Sequence, residues 1–250
     1  MRVVDVPALS GVSWIAEAFQ MFRQQPLAWI SLTSAWFIVS FLMVLIPLVG
    51  APAMTMFQPA FFAGFVLACR DQEMGKPVAF SHLFAGFRAS GRSLIQIGSL
   101  SLLAELAVVF ALSAFGFFDG LRDLDRNNPS IEAIAAAMRE QGGLWFAAAG
   151  AIVVIKGVLW FTAALMAHQP MPASHAIRWS FFALIGNVIP LTIFAALMFG
   201  MMFVSMLPWG LGLLVFVPLY AIAHYTSFKA VFRSDADNTT DDNANPLSKG

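Results

Sequence analysis

The chain has 250 residues, of which 59% are hydrophobic and 11% charged. An average globular chain has roughly 45–50% and about 25%, so this composition leaves too little polar surface for a soluble protein. Net charge is zero, with 14 Lys and Arg against 14 Asp and Glu, which excludes a global basic field for nucleic acid, and the lone Cys69 excludes an internal disulfide.

The amino terminus does not read as a signal peptide, because Asp5 and Glu17 interrupt it and no apolar core with a small-residue cleavage site follows Arg2. From Gln24 to Cys69, 46 residues pass without a charge. One crossing helix needs about 20 residues, so this run holds two, hinged at Ile46-Pro-Leu-Val-Gly-Ala-Pro52. Ser93–Phe118 carries one charge, Glu105, and Gln141–Ala167 carries one, Lys156; each reads as a single span. From Trp179 to Ala223 another 45 uncharged residues, broken at Pro208-Trp-Gly210, hold the last two. The predicted spans are 27–48, 51–69, 94–118, 144–167, 184–206 and 210–228. They form one domain over 1–233, followed by an acidic, polar tail over 234–250 that reads as disordered. None of the runs has the period-two alternation of barrel strands, and backbone in hydrocarbon must satisfy its own hydrogen bonds, so the spans are helices.

The segments between spans are patterned too. Trp14, Ile15, Ala18, Phe19 and Phe22 share one helical face. Phe80, Leu83, Phe84 and Phe87 form a second stripe after Lys76-Pro77, and Ala173, Ala176, Ile177, Phe181 and Leu184 a third after Gln169-Pro170. Such stripes suit short helices in the membrane interface, each feeding a hairpin of two spans. Pro77, Ser81 and His82 match Pro170, Ser174 and His175 at a constant offset, as a repeat would. In the 119–143 loop, Asn128-Pro129 opens a further helix whose apolar stripe includes Ile131 and Ile134.

Orientation follows from the basic residues. With six spans, Arg2, Arg23, Arg70, Lys76, Arg88, Arg92, Arg178, Lys229, Arg233 and Lys249 share one side. Only Arg122, Arg126 and Arg139 face the other, among five acids. Ten against three puts both termini in the cytoplasm.

Gly11-x-x-Trp14 with Phe19, Phe22 and Pro26 comes first in a further set of features. Ile46-Pro-Leu-Val-Gly50 follows, then Pro59-x-Phe61-x-x-Gly64 running into Ala68-Cys-Arg70 and Gly75. Ser180 with Asn187, and Pro218 before Tyr225 and Phe228, complete it. Over roughly residues 5–233 this set resembles a family of uncharacterised bacterial inner-membrane proteins with six transmembrane helices, related in layout to the YciC-like proteins. The resemblance implies a multi-pass inner-membrane protein; it implies no substrate, cofactor or catalytic residue.

Glu105 and Lys156 are the only formal charges well inside predicted spans, where each would cost about 2.5–3.5 kcal/mol on insertion scales if unpartnered. Counted from their shared outer loop, at about 1.5 Å per residue, both lie about 20 Å down, so they are placed to pair across antiparallel neighbours. Gly98 and Ser101 lie on the Glu105 face. The pair reads either as a structural bond between helices or as part of a proton or ion relay. Pro59, Pro190 and Pro218 lie inside spans and are candidate kinks, the feature that keeps a transport reading open. Thr192, Ala196 and Gly200 form a small-residue stripe that would seat a neighbouring helix. The four histidines fall near the cytoplasmic side or near helix ends, without metal-ligand spacing, and no nucleophile elbow or phosphate loop occurs.

The sequence therefore predicts an all-α polytopic membrane protein, six transmembrane helices in three hairpins with short cytoplasmic interfacial helices. No cofactor, metal or enzyme activity is expected. The expected partners are the lipid bilayer and another membrane protein or a second copy of the chain. A structural or assembly role, binding lipid or a partner, stands beside a small transporter or channel built on the Glu105/Lys156 pair.

Overall fold

The computed structural model describes residues 2–117, 130–140 and 142–233. The expected disordered tail and the Asn128-Pro129 helix start lie outside the described residues. Chain order is β1 (Arg2–Val3), α1 (Ser10–Gln24), α2 (Pro26–Val44), α3 (Gly50–Glu73), a 3-10 turn (Phe80–Phe84), α4 (Ala85–Ala114), α5 (Ile131–Glu140), α6 (Gly142–Val158), α7 (Thr162–His168), α8 (Ala173–Gly186), α9 (Val188–Met206), α10 (Leu213–Val231) and β2 (Phe232–Arg233). Six helical stretches are long and apolar enough to cross a bilayer: Pro26–Val44, Gly50–Glu73, Phe80–Ala114, Gly142–His168, Val188–Met206 and Leu213–Val231. The chain is an all-α transmembrane protein.

Two helices carry the core. α10 is the most buried span and α3 the next, and α3 packs most extensively against α4. Backbone contact there depends on glycine: a Cβ on Gly98 of α4 would overlap the Met56 carbonyl oxygen of α3. The outer faces of the bundle stay apolar, with Leu27, Phe41, Phe110, Phe146 and Val153 all exposed, as lipid-facing side chains are.

Helix starts follow local chemistry. Pro26 occupies the first turn of α2, where its missing N–H has no intrahelical partner to serve. The α2–α3 turn forces Leu48 to a φ of 65°. The 3-10 turn is capped by His82: Nδ1 accepts the Ala79 N–H at 3.0 Å and Nε2 donates to Asp71 at 3.1 Å. The matching residue of the suspected repeat, His175, is exposed, so the two histidines do different work.

Three expectations change. The apolar face of α1 docks on protein rather than on the lipid interface: Trp14 is 1% exposed, packs edge-on against Phe194 of α9, and lies with Ala18 and Phe22 against α9 and α10. The third stripe is rotated, since Ala176, Ser180 and Ala183 of α8 are buried while Phe181 and Phe182 face outward. The small-residue stripe on α9 seats no helix among the described residues; Thr192, Ala196 and Gly200 are exposed, and a Cβ at Gly200 would meet nothing. Pro190 sits in the first turn of α9, three residues after the non-helical Asn187 (φ −124°, ψ 31°) that parts α8 from α9, and its carbonyl lies close under Gly11 of α1.

The two ends of the described chain meet. Arg2 pairs with Arg233 and Val3 with Phe232 in an antiparallel two-residue ladder. Asn187, fully buried after α8, holds the segment that follows: Oδ1 accepts the Val6 N–H at 2.9 Å and Nδ2 donates to the Val4 carbonyl at 3.2 Å. A polar clasp ties the first three helices together, with Trp29 Nε1 donating to Gln72 Oε1 at 2.8 Å and Gln72 Nε2 donating to the Met21 carbonyl at 2.8 Å.

Candidate functional site

The fourth span is broken. α6 ends at Val158 and α7 starts at Thr162, although no proline lies between Gly142 and Gln169. A break in hydrocarbon is stable only if the freed backbone groups find other partners. Here distant side chains supply them: Ser180 of α8 accepts the Phe161 N–H at 3.0 Å, and His224 of α10 donates from Nε2 to the Trp160 carbonyl at 2.7 Å. A second break, at Ser90 (φ −150°, ψ 34°), divides the opening turns of α4 from its membrane stretch, and the Ser90 hydroxyl donates to the Met166 carbonyl of α7 at 3.0 Å.

Beside the broken span lies a cavity of about 330 Å³. α3 gives it Thr55, Gln58 and Pro59, α4 gives Ser101, α6 gives Lys156, and α10 gives Tyr220 and His224. Pro59 has no N–H to offer the Thr55 carbonyl one turn earlier. α3 nevertheless continues through Pro59, as α10 does through Pro218, which is not part of the lining.

Lys156, on the cavity wall, meets Glu105, which is not part of the lining. Lys156 Nζ lies 2.5 Å from Glu105 Oε1 and donates to Ser101 Oγ at 3.2 Å, while the Ser101 hydroxyl donates to Glu105 Oε1 at 2.9 Å. The three side chains thus close a triangle in which the charges neutralise each other. Their side chains remain 43% (Lys156) and 26% (Glu105) exposed, so the triangle is reachable from outside the bundle.

Two of the lining residues carry a buried polar atom without a partner. His224 is 2% exposed, and its Nδ1 has no hydrogen-bond partner; nor has the buried Nε1 of Trp160. Because Nε2 of His224 carries the proton given to the Trp160 carbonyl, Nδ1 is left as an acceptor, and the indole N–H is a donor. Phe62 stands edge-on to the His224 ring at 4.6 Å and the Trp160 ring lies 5.0 Å away, so the polar atoms sit in an aromatic frame. Among the described residues no group of three or more His, Cys, Asp or Glu stands together to hold a metal ion.

Sequence reasoning passed over His224 as a residue near a helix end, and it missed the break at 159–161. The signal for the first was a histidine one helical turn after Tyr220 in an apolar run. The break had no local signal, because its stabilising groups lie 19 and 64 residues away from their partners.

Over 211 residues the chain is 29% identical to a probable inner membrane protein of Burkholderia thailandensis, covering 80% of this chain and 76% of that protein. No protein-family model and no solved structure matches the chain.

Proposed function

We propose that this chain is a multi-pass inner-membrane protein, both termini cytoplasmic, that binds a lipid-like molecule in the cavity beside its broken fourth span. It serves as a binding or assembly component of that membrane, without catalysis. The cavity carries this reading. It is largely apolar with a few convergent polar groups, which is the make-up of a small-molecule site, and the exposed Lys156–Glu105 pair gives it a mouth on the side of the bundle. The address rests on the likeness to a probable inner membrane protein and on the ten-to-three distribution of basic residues. The layout is that of three hairpins resembling the YciC-like proteins; contacts of α2 with α3, α4 with α6 and α9 with α10 support it. Purification of the full chain in mild detergent, followed by extraction and mass spectrometry of bound lipid, tests the proposal. A stoichiometric lipid retained by the wild type and lost on filling the cavity with Ser101→Leu supports it; equal lipid in both rejects it.

A small transporter is the second reading, favoured by the break at 159–161, since discontinuous helices line ion and substrate sites in transporters. Proteoliposomes loaded with a pH-sensitive dye test its proton-relay form. Proton flux abolished by Glu105→Gln supports transport; flux no greater than in empty liposomes removes that form.

A further inference from the structure

An outward side of α8 carries a separate groove, which shares no lining residue with the cavity beside the fourth span. Ala176, Ser180 and Ala183 pack inward, while His175, Arg178, Trp179 and Phe182, at i, i+3, i+4 and i+7, line a groove of about 400 Å³. All four are exposed. We infer that this groove seats an anionic phospholipid, with Arg178 and His175 on its phosphate and Trp179 and Phe182 along the start of an acyl chain. The inference is independent of what the other cavity holds.

Charge decides the occupant. From Gln141 to Ser234 the chain contains no Asp or Glu. The main contacts of α8 are with α4, α6, α7, α9 and β1; of these only α4 carries an acid, Glu105, and it is bound to Lys156. The Asp5 carboxylate sits beside Gly186, eight residues and about 12 Å along the helix from Arg178. None of the ion pairs among the described residues involves Arg178 or His175. A guanidinium presents a planar fork of N–H donors that matches a phosphate bidentately, and the imidazole of His175 adds a donor one turn away. An ethanolamine or choline head brings an ammonium that would meet only cations here, whereas a glycerol head brings none. The groove therefore favours a net anion.

The rest of the groove fits the lipid's other half. Trp179 and Phe182 follow the two basic residues along α8 toward α9, and exposed Phe181 and Ile185 extend the apolar surface beside them. Tryptophan is enriched at the headgroup level of membranes, where one side of its ring meets hydrocarbon. A free phosphate would use the charged end alone; a phospholipid uses both.

The test uses the purified full chain in mild detergent, titrated with dioleoylphosphatidylglycerol and dioleoylphosphatidylethanolamine, which share their acyl chains, and read by native mass spectrometry. We expect the phosphatidylglycerol to bind more tightly, and its affinity to fall about fivefold in Arg178→Gln, the contribution of one basic residue near an anionic lipid surface. Arg178→Lys, which keeps the charge without the fork, should fall between that variant and the wild type. Arg178 does not line the other cavity, so lipid held there is unmoved by either change. Phosphatidylglycerol that binds equally in wild type and Arg178→Gln lies elsewhere and overturns the inference, as do equal affinities for the two lipids. Arg23→Gln, at an exposed position on α1, is the control: a loss equal to that of Arg178→Gln would mean a diffuse basic field and no groove. Binding that appears only when Asp235, Asp237, Asp241 and Asp242 are all changed to Asn would make the acidic tail the occupant in place of lipid.

Discussion

Ser180 accepts the N–H of Phe161 at 3.0 Å from a position of zero solvent exposure, and this bond joins α8 to the break in the fourth span. The neighbouring carbonyl, that of Trp160, is taken by His224. The helix is therefore interrupted by side chains that offer its backbone other partners, and not by a residue that cannot be helical.

Ser180→Ala should accordingly destabilise the protein. It strands a buried N–H, a loss typically of about 1–3 kcal/mol. Melting of the purified protein in detergent should show a clear drop, and Ser180→Thr, which keeps the acceptor while adding a methyl, should melt between alanine and wild type. An alanine variant that melts with the wild type would mean the break needs no help from α8.

A glycine pair separates contact from composition. At Gly98 a Cβ would overlap the Met56 carbonyl, so Gly98→Ala must push α3 and α4 apart along their largest interface. At Gly200 nothing stands within 4 Å. Gly200→Ala should leave melting unchanged or raise it slightly, since alanine favours a helix over glycine by about 1 kcal/mol, whereas Gly98→Ala should lower folded yield and melting temperature. Equal effects would show that the α3–α4 approach is looser than described.

What the sequence could reveal divides along physical lines. The spans were legible because charge is costly in hydrocarbon, so charge-free runs mark them directly. The meeting of Glu105 and Lys156 was reachable because helix rise converts residue counts from a shared loop into depth. Prolines were an uneven guide: the chain leaves the helix at Asn187, three residues before Pro190, while α3 and α10 run through Pro59 and Pro218 without ending. The other breaks, at Ser90 and at 159–161, are accompanied by hydrogen bonds to Met166, Ser180 and His224, partners that no local window contains. The stripes on α1 and α8 gave helices but not their facing, because an apolar face docks as well on protein as on lipid.

The pairing of Arg2 with Arg233 and Val3 with Phe232 puts both ends of the described chain on one side of the bundle, as an even number of crossings requires. In the proposed topology the ten-to-three distribution of basic residues makes that side the cytoplasmic one. A reporter active only outside the cytoplasm should work when fused at Ser130, and should be silent when fused after Ala89 or after Arg233. Activity at either of the latter two sites would reverse or break the proposed topology.

The ion pair gives the last prediction. Removing one partner of a buried pair strands the other, typically at a cost of about 3–5 kcal/mol, whereas replacing both with apolar residues of similar volume is often near neutral. Glu105 and Lys156 are partly exposed, so the cost at this site should fall toward the lower end of that range. Ser101 moderates it further, because its hydroxyl can give its proton to a lone Glu105 or accept one from a lone Lys156. Glu105→Gln and Lys156→Met should each lower folded yield and melting temperature, and the double variant should recover much of both. A stranded group that neutralises by shifting its protonation would blunt the single losses without changing their order. Additive losses in the double-mutant cycle would mean that the two charges do not stabilise each other in the membrane. Each would then need its own water path, which is the condition under which the transport reading overtakes the binding one.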